Sequence, residues 1–355
     1  MSTKTALAVT TPRAAGLRQP AEWDRHEAVW LAWPSHRDLW GEALGPVRSA
    51  FTAFASAVAD ADPANGRPRG ERLEVLVPDA ANEALAKSAL AGLGARFHRI
   101  PFGDIWLRDT APVFLVDPGG MRATASFAFN GWGGKYVLPH DDTVSSRIAE
   151  AAGLPAFRFP WVLEGGSVEV DGEGTCLTTR QCLLNPNRNA AMTEEAIEAG
   201  LGDALGVTTV LWLGDGLRND HTDGHVDTLA RFAAPGIVVC MSPAGLDDPN
   251  GTALLQIERD LSRMRDAAGR TLKVVAVPSP GLVPDADGEV LPASYVNFYI
   301  ANTTVVVPAY GVPNDEAARA GLAKLFPARR VLSVPARDLL SGGGAFHCIT
   351  QQVPA

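Results

Sequence analysis

One order of elements recurs four times along this chain: two short strands joined by a turn, then a helix, then a further strand. Residues 111–117 (APVFLVD) and 121–129 (MRATASFAF) flank the turn Pro118-Gly119-Gly120, and a helix over 143–152 and a strand over 156–160 are expected to follow. The order returns as strands at 167–171 and 174–179, a helix at 194–204 with Thr193 as N-cap, and a strand at 207–213. A third unit reads as strands at 226–233 and 236–241 around Pro235-Gly236, a helix over 250–268 and a strand at 271–277. The fourth has strands at 295–300 and 303–307 around Ala301-Asn302, a helix over 314–325 and a strand at 329–334. A spacing of roughly 55 to 70 residues exceeds that of the familiar solenoid repeats. Residues 27–33, a helix near 43–60 and a strand at 72–77 supply most of a fifth unit, whose missing strand can come from 346–352. The two chain ends then close a ring. The expected fold is therefore α/β, a five-fold pseudosymmetric α/β-propeller of ββαβ units around a central pocket; the competing expectation is an irregular α+β domain. Residues 1–18, small, polar and aperiodic, are expected to form a flexible arm, and 19–355 a single catalytic domain.

Charge and cysteine usage narrow the function classes. Lys and Arg number 31 against 40 Asp and Glu, a formal net charge of −9, and no long basic block is present, which disfavours a nucleic-acid partner. No apolar run reaches the roughly 18 to 20 residues of a membrane span, and the opening MSTKTALAVT lacks the apolar stretch of a secretory signal. Cys176, Cys182, Cys240 and Cys348 form no CxxC pair. Reduced thiols and a cytoplasmic location are expected, with no membrane partner; a homo-oligomer is compatible with the sequence.

The polar residues with chemical potential cluster in segments that lead into the hairpins: WLRD at 106–109, EGGS at 164–167, HTDGHVD at 221–227 and GGGAFHC at 342–348. Equivalent segments of a ring point at its axis, so four stretches distant in sequence are expected to converge. Cys348 follows Gly342 to Gly344, which lets the backbone pass close to a ligand and poises a thiol for attack, whereas Cys176, Cys182 and Cys240 read as packing residues. His225 and Asp227, two apart at the start of a strand, should face one side of the sheet, and a His beside a carboxylate serves as acid and base near neutral pH. Asp220, His221 and Asp223 precede them. A zinc site on His221, His225 and Asp227 is the competing reading, but the segment carries no full metalloenzyme signature. Asp109 and Glu164 complete a set of one thiol, one imidazole and three carboxylates. That set suits a planar cation with several N–H donors, such as a small guanidine, with Trp106 as an apolar or cation–π wall.

Five segments, WLRDTAPVF, FNGWGGK at 129–135, EGGSVEVDGEGTCLTTRQCLLNPNRN at 164–189, NDHTDGHVDT at 219–228 and GGGAFHCITQQ at 342–352, together resemble the agmatine deiminases, in the family that also holds the bacterial-type peptidylarginine deiminases. The resemblance spans about residues 20 to 354. It implies a guanidine-modifying α/β-propeller that uses neither metal nor organic cofactor and hydrolyses agmatine on a route to putrescine. By position it implies Cys348 as nucleophile, His225 as acid and base, Glu164 as the carboxylate assisting that histidine, Asp109 and Asp227 as guanidinium clamps, and Trp106 as a pocket aromatic. Where many agmatine deiminases have Glu-Thr-Asn-Gly-His, this chain has His221-Thr-Asp-Gly-His225, and it has Ala345-Phe-His-Cys348 where they have Asn-Ile-His-Cys. The far amine of the substrate is thus expected to be met differently here, with Asp220 and His221 as candidate contacts. Deimination of arginine or peptidyl-arginine, and amidino transfer to an amine, are the alternative activities.

Overall fold

The computed structural model describes residues 11–355, and the strands fall into five separate small sheets. Four are three-stranded, and each repeats one pattern: an antiparallel pair, then a helical crossover to a parallel strand. Taking the second blade as the first of these, the chain runs Val113–Val116, Arg122–Ala128, helix Asp141–Ala152 and Ala156–Val162. The third holds Glu169–Val170, Thr175–Thr179, helix Glu194–Leu205 and Thr209–Leu213; the fourth holds Ala230–Ala234, Ile237–Ser242, helix Gly251–Leu261 and Lys273–Pro278. The fifth holds Tyr299–Ile300, Thr304–Ala309, helix Asp315–Ala323 and Arg330–Pro335.

The first blade closes the ring. Its antiparallel partner to His26–Ala32 is Gln351–Pro354, with Trp30 opposite Gln351 and Val29 opposite Gln352. The expected joining of the two chain ends is thus observed, and the whole is a five-fold pseudosymmetric α/β-propeller. Inner strands of neighbouring blades touch, as Gln351–Pro354 does with Val113–Val116. Helices wedge between blades: Asp315–Ala323 packs on Arg330–Pro335 of its own blade and on Lys273–Pro278 of the fourth. Helix Leu44–Ala59 presents Val47, Phe51, Phe54 and Val58, all fully buried, and runs against the fifth blade. Burying each such side chain contributes roughly 1.5 to 3 kcal/mol.

Several elements differ from expectation, among them the strands expected at 295–300 and 346–352, which are confined to Tyr299–Ile300 and Gln351–Pro354. Residues 226–228 form a 3₁₀ turn, held by the Thr228 hydroxyl donating to the His225 carbonyl at 2.8 Å, so the strand starts only at Ala230. The helix expected to reach 268 stops at Leu261, and a turn at 266–270 whose amides donate to the Asp266 carboxylate replaces its end. A helix Ala80–Ala89, capped by Asp79 accepting from the Asn82 amide, and an edge strand Arg96–Arg99 were not foreseen; they extend the first sheet to four strands. Of the arm expected over 1–18, residues 1–10 lie outside the described residues. Within the remainder Leu17 is buried and Arg18 bridges to Val116.

Candidate active site

Asp109 enters on the single turn Leu107–Thr110, immediately before the second blade. This turn is tied to the cysteine segment, because the Arg108 amide donates to the Cys348 carbonyl at 3.0 Å. The Arg108 side chain leaves the pocket and donates to the Thr350 hydroxyl and the His347 carbonyl. Asp109 itself is fixed at both oxygens, Oδ1 accepting from the Gly166 amide at 3.0 Å and Oδ2 from the Trp132 indole at 2.9 Å. Trp132 reaches it from a left-handed backbone, φ +53°, a conformation that costs a bulky residue free energy and is tolerated where surroundings enforce it.

Glu164 is fully buried, and its Oε1 accepts from Arg188 Nε at 2.8 Å. Arg188 also donates to Asp223 Oδ2 and to the Thr222 carbonyl, so one guanidinium aligns Glu164 with the loop that presents His225. His225 Nδ1 stands 3.8 Å from Asp109 Oδ1. Asp227 Oδ2 accepts from His347 Nδ1 at 2.7 Å, and the other ring nitrogen of His347 lies 2.8 Å from Glu22, which is paired in turn with Arg231 and Arg108. Cys348 Sγ lies 3.2 Å from Asn297 Nδ2 and 3.8 Å from Asp227 Oδ2. Both ring nitrogens of His225, Glu164 Oε2 and Asp227 Oδ1 are buried without a protein partner. Buried polar atoms are ordinarily satisfied, and several orphans on neighbouring functional groups call for a partner the protein itself does not supply.

The local charges pull in opposite directions. Burial, then the Asp227 and Asp109 carboxylates, push the Cys348 thiol well above its usual range, against the Asn297 hydrogen bond. Burial also raises Asp109, reinforced by Asp227 and Glu164 and opposed by His225. Burial raises Asp227 too, but the His347 hydrogen bond and charge outweigh it and hold this carboxyl below its ordinary value. A cation arriving between Asp109 and Asp227 therefore relieves repulsion and favours the thiolate together.

The structure brings Cys348, His225, Glu164, Asp109 and Asp227 together as the four segments suggested, and Trp106 lines the pocket beside them. His221 is at the exposed mouth, its Nδ1 3.2 Å from the Tyr136 hydroxyl. Asp220 does not line the pocket; its Oδ1 accepts from the amide and hydroxyl of Thr222, as an acidic loop residue readily does. Asp223 is likewise spent on Lys135, Asn187 and Arg188. The His221, His225 and Asp227 metal set is not assembled. Among the described residues, the group with metal-ligand spacing is Glu164, Cys182 and His225, and there the Arg188 cation already occupies Glu164. Sequence reasoning placed Cys182 in plain packing, missing that it lies against the site. It also missed Trp132, Arg188, Asn297 and His347; the first two sit in FNGWGGK and NPNRN, whereas Asn297 lies in an apolar run just before the strand Tyr299–Ile300 and gives no signal.

The pocket is a cavity of about 280 Å³. Its walls are Trp40, Trp106, Trp132, Tyr136 and the Gly342–Gly344 run, and no Arg or Lys is among its lining residues. A five-bladed α/β-propeller whose axis holds a thiol, an imidazole and three carboxylates is the construction of the guanidine-modifying enzymes. More narrowly, the chain belongs to the Porphyromonas-type peptidyl-arginine deiminase family, whose model matches residues 18–354. It is 39% identical to the agmatine deiminase of Ectopseudomonas mendocina and 40% identical to that of Stutzerimonas stutzeri, each alignment covering 98% of both chains. The solved structure described as agmatine deiminase of Enterococcus faecalis catalyzing its reaction superposes with a TM-score of 0.90 at 35% identity, over 99% of both chains.

Proposed function

We propose that this chain hydrolyses agmatine to N-carbamoylputrescine and ammonia through a covalent intermediate on Cys348. The observation that carries the reading is the convergence of two buried carboxylates with a thiol and an imidazole: Asp109 Oδ1 lies 3.8 Å from the unpartnered His225 ring, and Asp227 Oδ2 lies 3.8 Å from Cys348 Sγ. A guanidinium held by the pair presents its planar carbon to Sγ, and the positive charge it brings favours the thiolate. Sulfur attacks that carbon. His225 gives a proton to one nitrogen, which leaves as ammonia as its C–N bond breaks, and an amidino thioether remains on Cys348. Glu164, oriented by Arg188, steadies the imidazolium. His225 then takes a proton from water, the hydroxide adds to the same carbon, and the C–S bond breaks to release the ureido product and the thiolate.

Two observations favour agmatine over other guanidines. The agmatine deiminase relatives extend over the full length of the chain, and the pocket walls offer no Arg or Lys to receive the α-carboxylate of arginine. The test is a guanidine panel of agmatine, arginine and a peptidyl-arginine mimic, scored for ureido product, with and without an added amine acceptor. Agmatine is expected to lead arginine by at least about tenfold in kcat/KM, and Cys348→Ala to abolish turnover. Equal or better use of arginine or the mimic overturns the substrate assignment; a new guanidine formed with the amine replaces hydrolysis by transfer; an active Cys348→Ala enzyme overturns the mechanism. Exhaustive chelation is expected to leave activity unchanged.

A further inference from the structure

The proposed substrate carries a second cation at its far end; near the pocket mouth Asp223 is paired with Lys135 and Arg188, and Asp220, which accepts from Thr222, does not line the pocket. One other carboxylate lines the pocket besides Asp109, and the mechanism does not use it. Asp104 is 7% exposed and accepts hydrogen bonds from two indoles, Trp40 Nε1 at 2.9 Å on Oδ1 and Trp106 Nε1 at 2.8 Å on Oδ2.

The indoles follow one another outward from the thiol. A Cβ placed on Gly344 would stand 3.1 Å from Cys348 Sγ and 2.7 Å from the Trp106 ring; one on Gly342 would stand 2.9 Å from Trp106 and 2.4 Å from Trp40. The glycine run therefore lies flat across both rings, and the wall leads from Cys348 past Trp106 to Trp40. The ring centroids of Trp40 and Trp106 are 6.0 Å apart at 41°. Trp40 and Trp106 are the side chains that hydrogen-bond Asp104, and His36 is the opposite charge that acts on it. Its hydrogen-bond donors are neutral N–H groups, which bring no full positive charge to it. A carboxylate drawing on an indole N–H also makes the ring face a better partner for a cation.

We propose that Asp104 determines specificity for a cationic substrate tail, fixing the Trp40 and Trp106 indoles as one wall and supplying the negative charge that an ammonium meets there. The inference rests on the agmatine reading above. Burial pushes the Asp104 carboxyl above its ordinary value against the pull of both indoles, and a cation at the wall opposes that push. Asp104 is a positioning and specificity residue and touches no reacting atom.

The test compares agmatine with pentylguanidine, in which a methyl group replaces the ammonium. Binding of both is measured to the full chain carrying Cys348→Ala, alone and combined with Asp104→Asn. The parent is expected to prefer agmatine by about tenfold or more, and Asp104→Asn to remove most of that preference. In the enzyme with its thiol, Asp104→Asn should raise KM for agmatine more than it lowers kcat. Persistence of the preference in Asp104→Asn overturns the proposal, as does a parallel loss of both ligands, which marks a merely structural role. No preference in the parent also overturns it, while turnover of agmatine by the native enzyme would still stand; absence of that turnover would instead remove the function on which the proposal rests.

Discussion

Gly166→Ala adds one methyl group at the point where three functional side chains meet. A Cβ there would stand 2.5 Å from His225 Nδ1, 3.0 Å from Asp109 Oδ1 and 3.1 Å from Asp227 Oδ2. Ordinary contact begins at 3.4 Å, so His225 must retreat by the difference between 3.4 and 2.5 Å, about 0.9 Å. Asp109 cannot easily yield, because its other oxygen is held by Trp132. The backbone at 166 is outside the left-handed region, so alanine itself is accommodated. Misplacing a reacting group by on the order of 1 Å costs on the order of 10²-fold in rate, equivalent to about 2.7 kcal/mol of barrier. The expected outcome is a fall of about 100-fold in kcat/KM with a Tm within about 5 °C of native. Steady-state kinetics beside calorimetry reads both. Gly165→Ala is the contrast: its Cβ would stand 2.2 Å from the Arg108 carbonyl oxygen, a backbone atom, so that variant should lose stability first. Activity of Gly166→Ala within about threefold of native would refute the placement of His225 and the two carboxylates around this residue.

Three further outcomes follow from the charges. Because burial and the facing carboxylates push the Cys348 thiol up, iodoacetamide inactivation of the free enzyme should be slow near neutrality and climb with pH, with agmatine protecting; a rate flat from about pH 6 to 9 contradicts this. His221→Glu places a carboxylate at the pocket mouth and should lower KM for agmatine by roughly three- to tenfold; an unchanged KM shows that the substrate tail does not reach residue 221. Burial and the Asp104 charge push the Asp141 carboxyl up to about 7, while its Oδ1 accepts from the Gly103 amide. The folded state therefore holds this proton more tightly than the unfolded chain, whose value is about 3.9, and stability declines as pH rises from about 4 to about 7. Asp141→Asn should abolish that decline and stabilise the protein at pH 8 by roughly 1 to 3 kcal/mol relative to native, but not at about pH 4; denaturation curves at the two pH values decide it.

Much of the site was legible because each segment carries its chemistry in a short local pattern. Asp109 follows Trp106 in WLRD, His225 and Asp227 share HVD, and Cys348 closes a glycine run. The glycine run was read as room for a ligand; the structure adds that Gly342 and Gly344 are needed first by the Trp40 and Trp106 rings. Asp220 looked available from its acidity alone, yet its Oδ1 turns back on Thr222 and the residue does not line the pocket, while Asp223 pairs across the loop with Lys135 and Arg188. Arg188, Asn297 and His347 act on groups 24, 51 and 120 positions away in the chain, and no local pattern records such a partner.

Legible from the chain alone were the repeating hairpin, helix and strand order, the closure of the ring by the two chain ends and the five side chains that the structure brings together. These depend on periodicity, turn residues and short motifs, which are properties of neighbours along the chain. Which carboxylates are paired and which line the pocket depends instead on what each meets across the axis: Asp220 accepts from Thr222 away from the pocket wall, Asp223 is paired with Arg188 and Lys135, and Asp104 accepts from two indoles in that wall. Burial decided the rest. The same aspartate is an ordinary acid on an exposed turn, but inside the ring desolvation and the nearest opposite charge set whether it stays ionised and what it can hold.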